Sequence, residues 1–438
     1  MKRSVKTAAA AALTAFMAVG AAGCATEKPQ DTAEVGFKPT LDTNASYTVN
    51  VVGHYSNFEA LEEEFNRFSQ YYPNAQMSYT ALDNYSKSGS GILSTALAGN
   101  EAPDIFFTYP WMCDWSDGDK IFAACEDLSD PSLGIDLSCI RDNLLTKDGE
   151  GKILSVPIYT TTYGMLVNND IFEKENIAVP ETYSQLISVC EELKGKGYSD
   201  PIMGYNKGTD LLYPLFYPYF CAQIQGNETA LNALNEMSPG AGEYMRGALE
   251  LAADFMSHGF IDIGHCSELE NNYDAVILRF FEGDVPMMLA TGNTVSGTEK
   301  REAMSDAFTA KPFRYSFYPV PSTEEGGYFI NTVSIGFGVN KNSNNLAISN
   351  EFMRFLVCPD EINLMANAKR MVTPCKDMSL NSVYAPFKDI DTQRTINLSE
   401  LGLSDTPASQ VSKAGWLVCN GVMTVDEAIK DFGTLTTG

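Results

Sequence analysis

Residues 47–59 read Tyr47-Thr48-Val49-Asn50-Val51-Val52-Gly53-His54-Tyr55-Ser56-Asn57-Phe58-Glu59. Tyr47, Val49 and Val51 alternate with Thr48 and Asn50, and a period of two predicts a strand. Ser56 and Glu59 have the S-x-x-E spacing of a capping box, which predicts a helix that starts at Ser56. Behind it Leu61, Phe65 and Phe68 recur at helical spacing until Pro73 stops the run. Met77, Tyr79 and Ala81 alternate again. Ile92, Leu93, Ala96 and Leu97 form a second helical stripe, closed by Gly99-Asn100. Ile105-Phe106-Phe107 is short and wholly apolar, as in a strand buried on both faces. Strand, helix, strand, helix, strand is the rhythm of an α/β domain with a largely parallel sheet.

The rhythm resumes downstream. Strands are expected at Met165–Val167, Val285–Leu289 and the Gly-interrupted Ser334–Val339. Helices are expected over Tyr183–Lys194, Gly242–Ser257, Tyr273–Glu282 and Ile348–Val357. No internal repeat and no coiled-coil pattern occur.

At the other end of the chain, Lys2, Arg3 and Lys6 precede an Ala-rich apolar run from Thr7 to Ala22, the pattern of a signal peptide over residues 1–23. The run ends in Ala21-Ala22-Gly23-Cys24, which resembles the lipobox of bacterial lipoproteins, with Ala21 where Leu is commoner. The resemblance implies lipidation of Cys24 and anchoring at the extracellular face of the cell membrane. The competing reading is a plain secretory signal with an incidental Cys. Residues 24–46 are polar and without periodicity, and read as a tether. The whole chain carries 30 Lys+Arg and 56 Asp+Glu, and loss of the three leader cations leaves 27 against 56, a formal charge of −29. Such a surface repels phosphate backbones, so nucleic acid is excluded as a partner. Ten cysteines, one of them Cys24, leave nine that cannot all pair, and no CxxC occurs. His258, His265 and Cys266 lack a fourth ligand at metal-site spacing, so neither metal nor cofactor is expected.

Several segments then resemble one family in order. Ala98-Gly99-Asn100-Glu101-Ala102-Pro103-Asp104 looks like its A-G-x-x-P-D segment. Asp148 to Pro157 looks like the D-G-K-x-Y-A-x-P strand, and Val167-Asn168-Asn169-Asp170-Ile171-Phe172 is similar to Y-N-K-D-x-F. Ile177–Leu186 and Phe281-Glu282-Gly283-Asp284-Val285-Pro286-Met287-Met288 through Gly292 continue the series. These resemble the extracellular solute-binding proteins of ABC importers, in the sugar-binding branch that includes maltose-binding protein. The resemblance implies a periplasmic-binding-protein-like (type II) architecture of two discontinuous α/β lobes joined by a hinge. Lobe one would take 47–158 plus 316–368, and lobe two 159–315 plus 369–438, with crossings near Val156-Pro157-Ile158 and Tyr318-Pro319-Val320. It implies a monomeric, non-enzymatic binding protein that hands a sugar to permease subunits. Another polar solute, a sensor co-receptor role or a surface glycosidase are the alternatives.

Sugars offer C–H faces to aromatic rings and hydroxyl edges to Asn, Thr and Tyr. That chemistry selects His54 and Asn57 after the first strand, Tyr109 and Trp111 after the third, and Tyr159 and Thr161 past Pro157. Asn57 serves either ligand or the cap, and His54 either ligand or its own loop. Of Tyr213, Tyr217 and Tyr219, two are expected in the core, with Tyr213 assigned to ligand. Asn293 completes the set. The family usually shows Gly-x-Trp here, with the Trp stacking on sugar, where this chain has Gly292-Asn293-Thr294, so malto-oligosaccharide specificity does not carry over. No GxSxG, HExxH or P-loop occurs, and Ser88-Gly89-Ser90-Gly91 lacks the Gly-Lys ending.

Overall fold

The computed structural model describes residues 36–436 apart from Asn57, Ser88, Asn100, residues 206–210 and 269–272, Met378, Asp389 and Asp391. The expected signal peptide and Cys24 lie outside the described residues. Strands in chain order are β1 (Tyr47–Gly53), β2 (Ala75–Ala81), β3 (Ile105–Thr108), β4 (Thr146–Lys147), β5 (Ile153–Thr161), β6 (Tyr163–Asn168), β7 (Ile202–Met203), β8 (Met287–Thr291), β9 (Tyr315–Tyr318), β10 (Phe329–Val339) and β11 (Thr395–Asn397). They form two sheets, one in the order β2-β1-β3-β10-β5-β4 with β11 beside β10, the other β7-β8-β6-β9. Two sheets with separate helical layers make two α/β lobes.

In lobe one, β1 pairs in parallel with β2 and β3. Val49 and Val51 are buried while Thr48 is exposed, the alternation of a sheet with one helix-covered face. β3 is buried along its whole length. Asp104, at its start, is 4% exposed. Its carboxylate accepts the Asn50 N–H (2.7 Å) and the Asn345 amide (3.2 Å), so it binds the starts of the neighbouring elements together. The first helix begins at Glu59, with Phe58 as its N-terminal boundary and no side-chain cap. The capping box at Ser56 is therefore not formed. Phe58 is fully buried among Tyr55, Tyr79, Phe107 and Tyr159, and this packing sets the helix start.

The tether is shorter than expected. Phe37 is buried against Phe68, Tyr71 and Phe355, with the Arg354 guanidinium over its ring. Thr40 donates through its N–H and hydroxyl to Glu351 at 2.8 and 2.7 Å. Phe37 and Thr40 thus belong to the lobe-one body, within the stretch expected to be tether.

In lobe two, Met165, Leu166, Val167, Leu289 and Phe317 share one core with Phe216, Phe220, Phe255, Phe280 and Leu417. The helix Tyr213–Ile224 crosses that core, and Pro218 inside it is buried.

Three segments cross between the lobes. β5 runs on past Pro157 to Thr161, and the chain changes sheet at Thr162. β10 belongs to both lobes, since Phe329 and Ile330 at its start are buried in the lobe-two core while Thr332–Val339 pair with β5 and β3. Its pairing with β5 is irregular between Val333 and Gly336, opposite Pro157, which has no N–H to give to a regular ladder. The third crossing pairs Val372 with Thr160. The expected lobe divisions shift accordingly. Residues 159–161 stand in the larger sheet, and 315–318 in the smaller one because all of β9 pairs with β6.

Candidate functional site

The loops after β1, β3, β5 and β8 meet the crossing strand β10 around one cleft with two halves that share Trp111, Asn293 and Ser334. One half, about 840 Å³, is lined by Trp111, Thr161, Tyr163, Tyr213, Tyr217 and Asn293 together with the segment from Leu398 to Ser412. The other, about 1000 Å³, is lined by His54, Tyr55, Tyr109 and a set of charged side chains.

Trp111 follows β3 on a short 3-10 turn that begins at Pro110, whose fixed φ suits that first position. The indole is 38% exposed, high for so large an apolar ring. Its inner face lies flat on Tyr109, with centroids 4.9 Å apart and planes 8° from parallel. Tyr109 is buried and its hydroxyl bonds His54 Nδ1. Burial lowers the His54 pKa from 6.5 to about 4, so the ring is neutral at pH 7 and Nδ1 can accept the tyrosine proton. His54, Tyr109 and Trp111 therefore form one braced unit that presents the indole to the cleft.

From lobe two, Tyr213 and Tyr217 stack at 4.3 Å, and Tyr163 meets Tyr213 edge-on at 5.1 Å. Two of the three expected tyrosines thus reach the cleft rather than one, because positions four apart lie on one face of the helix. Tyr219 packs against the lobe-two core. The Thr161 hydroxyl is buried and has no hydrogen-bond partner among the described residues. Asn293 accepts from the Ser334 hydroxyl at 2.9 Å. It sits in the short helix Gly292–Ser296, where a Cβ on Gly292 would come within 2.4 Å of Thr161 Oγ1.

Tyr159 is a correction. It is fully buried and lines neither half of the cleft, because the β5 pleat turns it into the lobe-one core beneath Phe58. Its hydroxyl donates to that of Tyr55 (2.9 Å), which does line the cleft. Asn57 lies outside the described residues. His258 stacks on Phe260 at 5.2 Å, and no group of three metal-ligating side chains is gathered among the described residues.

Sequence reasoning missed three parts of the lining. Ser334 reads as a strand residue, and only the double membership of β10 brings it to the cleft. Leu398–Ser412 carries no family motif and is placed by the pairing of β11 with β10. The second half also gathers Glu59, Glu63 and Glu299 with Lys300, Arg301 and Lys369. The Lys369 ammonium lies 5.3 Å from the Tyr55 ring centre, and desolvation lowers its pKa.

A sequence model of the bacterial extracellular solute-binding proteins matches residues 54–361. The melibiose/raffinose/stachyose-binding protein MelE of Bacillus subtilis (strain 168) is 24% identical over 160 residues, which span 35% of this chain and 35% of that protein. The fold matches that of a sugar transporter from Bacillus licheniformis in complex with stachyose, with TM-score 0.59, 16% identity and coverage of 88% of this chain and 98% of that one. It also matches the GacH receptor of Streptomyces glaucescens, whose structures include an acarbose complex, with TM-score 0.64, 18% identity and coverage of 89% and 97%. With a match over most of its length and the two-lobed fold to go with it, the chain belongs to the bacterial extracellular solute-binding proteins.

Proposed function

We propose that this protein is a lipid-anchored carbohydrate receptor that closes around its ligand and delivers it to an ABC importer. The observation that carries the reading is the cleft half in which a half-exposed indole from one lobe and a tyrosine cluster from the other border one volume. Rings of that kind take the C–H faces of pyranoses, while Thr161, Ser334 and Asn293 supply hydroxyl and amide partners for the edges. The relatives named for raffinose, stachyose and acarbose point to the same ligand class. Family membership supports transport over hydrolysis and implies the permease partner.

Calorimetric titration with melibiose, raffinose, stachyose and malto-oligosaccharides, beside amino-acid and polyamine controls, tests this. Binding of at least one saccharide, recovered unhydrolysed, is expected. Tight binding of a control solute with no response to any sugar would discard the reading. Anchoring is tested separately in cells: wild type should incorporate palmitate and fractionate with membranes, and Cys24→Ala should do neither. Palmitate label persisting in the variant would move the acylation site elsewhere.

A further inference from the structure

Residues 137–140 make a tight turn, with the Ile140 N–H donating to Leu137 O at 3.1 Å. The turn sets Cys139 against the third crossing, where Ile140 and Cys375 form an isolated antiparallel bridge. On its flanks Lys376 N–H donates to Cys139 O (2.8 Å) and Arg141 N–H to Pro374 O (3.1 Å). Ile140 and Cys375 are therefore a non-hydrogen-bonded pair, whose Cα atoms are about 4.5 Å apart. Cys139, one residue along, then lies roughly 6 Å from Cys375, within the ~4.4–6.8 Å span of a disulfide. In a regular ladder the two side chains would point to opposite faces. The turn at Cys139 breaks that alternation: its thiol reaches the Val357 carbonyl (3.5 Å) and lies near enough to that of Cys375 for each to shift the other's titration.

We propose that Cys139 and Cys375 form a disulfide on the extracellular side, which fastens the third interlobe crossing to lobe one. The surroundings separate Cys375 from the other cysteines, Cys139 included, whose thiol is pushed up by its interaction with Cys375 and by burial. Cys125, Cys190, Cys221 and Cys419 are buried thiols whose pKa values burial pushes up. The Cys375 thiol is instead held down at about 7 by its interaction with Cys139, by Thr373 and by the charge of Arg141. Arg141 also donates to Thr373 O (2.7 Å), so its guanidinium is fixed beside the sulfur. A thiolate is thus populated at neutral pH, and the thiolate is the species that attacks sulfur.

Cys375 is buried and Cys139 half-buried, which orders the steps. Cys139 passes its proton to the Cys375 thiolate and attacks a low-molecular-weight disulfide, whose S–S bond breaks, forming a mixed disulfide and releasing a small thiolate that takes up that proton. The Cys375 thiolate then attacks the Cys139 sulfur and expels the second thiol. Two S–H bonds are lost and one S–S bond forms, while the two electrons and two protons leave on the two small thiols. The bridge holds residues 373–376 to lobe one, so the third crossing bends only on the Val372 side.

The test uses the full chain, reduced and then equilibrated with oxidised and reduced glutathione, alkylated and mapped without reduction. A cross-linked peptide joining Cys139 to Cys375 is expected, with a rise in Tm of about 5 °C on oxidation. The rise should vanish in Cys139→Ser and Cys375→Ser, whose Tm should match that of the reduced wild type. Both thiols remaining alkylated after oxidation, or Cys139 found bridged to Cys358, overturns the proposal. If a variant does not fold, the wild-type peptide map still decides. The outcome is independent of which solute fills the cleft.

Discussion

Trp111 owes its position to the side chains behind it. With Tyr109 stacked on one face and His54 bracing Tyr109, the indole is held for contact without being part of the core. Replacing it by Ala should weaken saccharide binding by about 1–3 kcal/mol, ~5- to 150-fold in Kd. The ligand-free melting temperature should fall less than for a fully buried aromatic, because the residue keeps 38% of its surface in solvent. Calorimetry and thermal melts of the same variant separate the two effects, and an unchanged Kd with a large fall in Tm would make Trp111 a core residue. Places in the cleft lining were legible where a side chain closely follows a strand, as at His54, Tyr109 and Trp111. Tyr159 failed that reading because β5 runs four residues past Pro157, so the position taken for a loop is still pleated and faces inward.

Between elements, the bond from Tyr109 to His54 ties the end of β3 to the end of β1, and it requires an unprotonated imidazole. The His54 pKa is near 4 in the folded chain against 6.5 for an unperturbed imidazole, so unfolding takes up a proton between those values. The contribution is full above about pH 6.5 and declines as pH falls toward about 4, a loss of about 2 kcal/mol by pH 4.5. Urea midpoints measured from pH 7 to 4.5 should fall more steeply for wild type than for His54→Gln. Parallel curves would show that His54 titrates freely in the folded state. The β1-helix-β2-helix-β3 run was legible because its local periodicities agree with its tertiary pairing. The helix start at Ser56 was not, since a buried Phe58 outweighs a cap worth about 1 kcal/mol. The C-terminal lining was hidden for another reason: β11 is three residues long and acquires meaning only beside β10.

At the scale of the whole molecule, three crossings join lobes that border one cleft, so a ligand touching both lobes favours the form in which they approach. Saturating saccharide should reduce the radius of gyration in solution scattering while far-ultraviolet circular dichroism stays constant. At a hundred times Kd it should also stabilise the protein by about 2.7 kcal/mol. Binding with unchanged dimensions would leave a receptor that does not close. Five weak motifs in order sufficed to read two discontinuous lobes, but not where each begins, because strand partnership is invisible to a local pattern. That discontinuity also governs the order in which the chain can fold as it is made. β10 lies between β3 and β5 in the centre of the larger sheet, yet it is supplied only by residues 329–339. Until that stretch emerges, β3 lacks one neighbour and β5 is paired only with the two-residue β4. The N-terminal lobe therefore cannot finish until residues 329–339 have been made, and its sheet stays incomplete through most of the chain's synthesis. An export channel that accepts only unfolded polypeptide would be served by that delay.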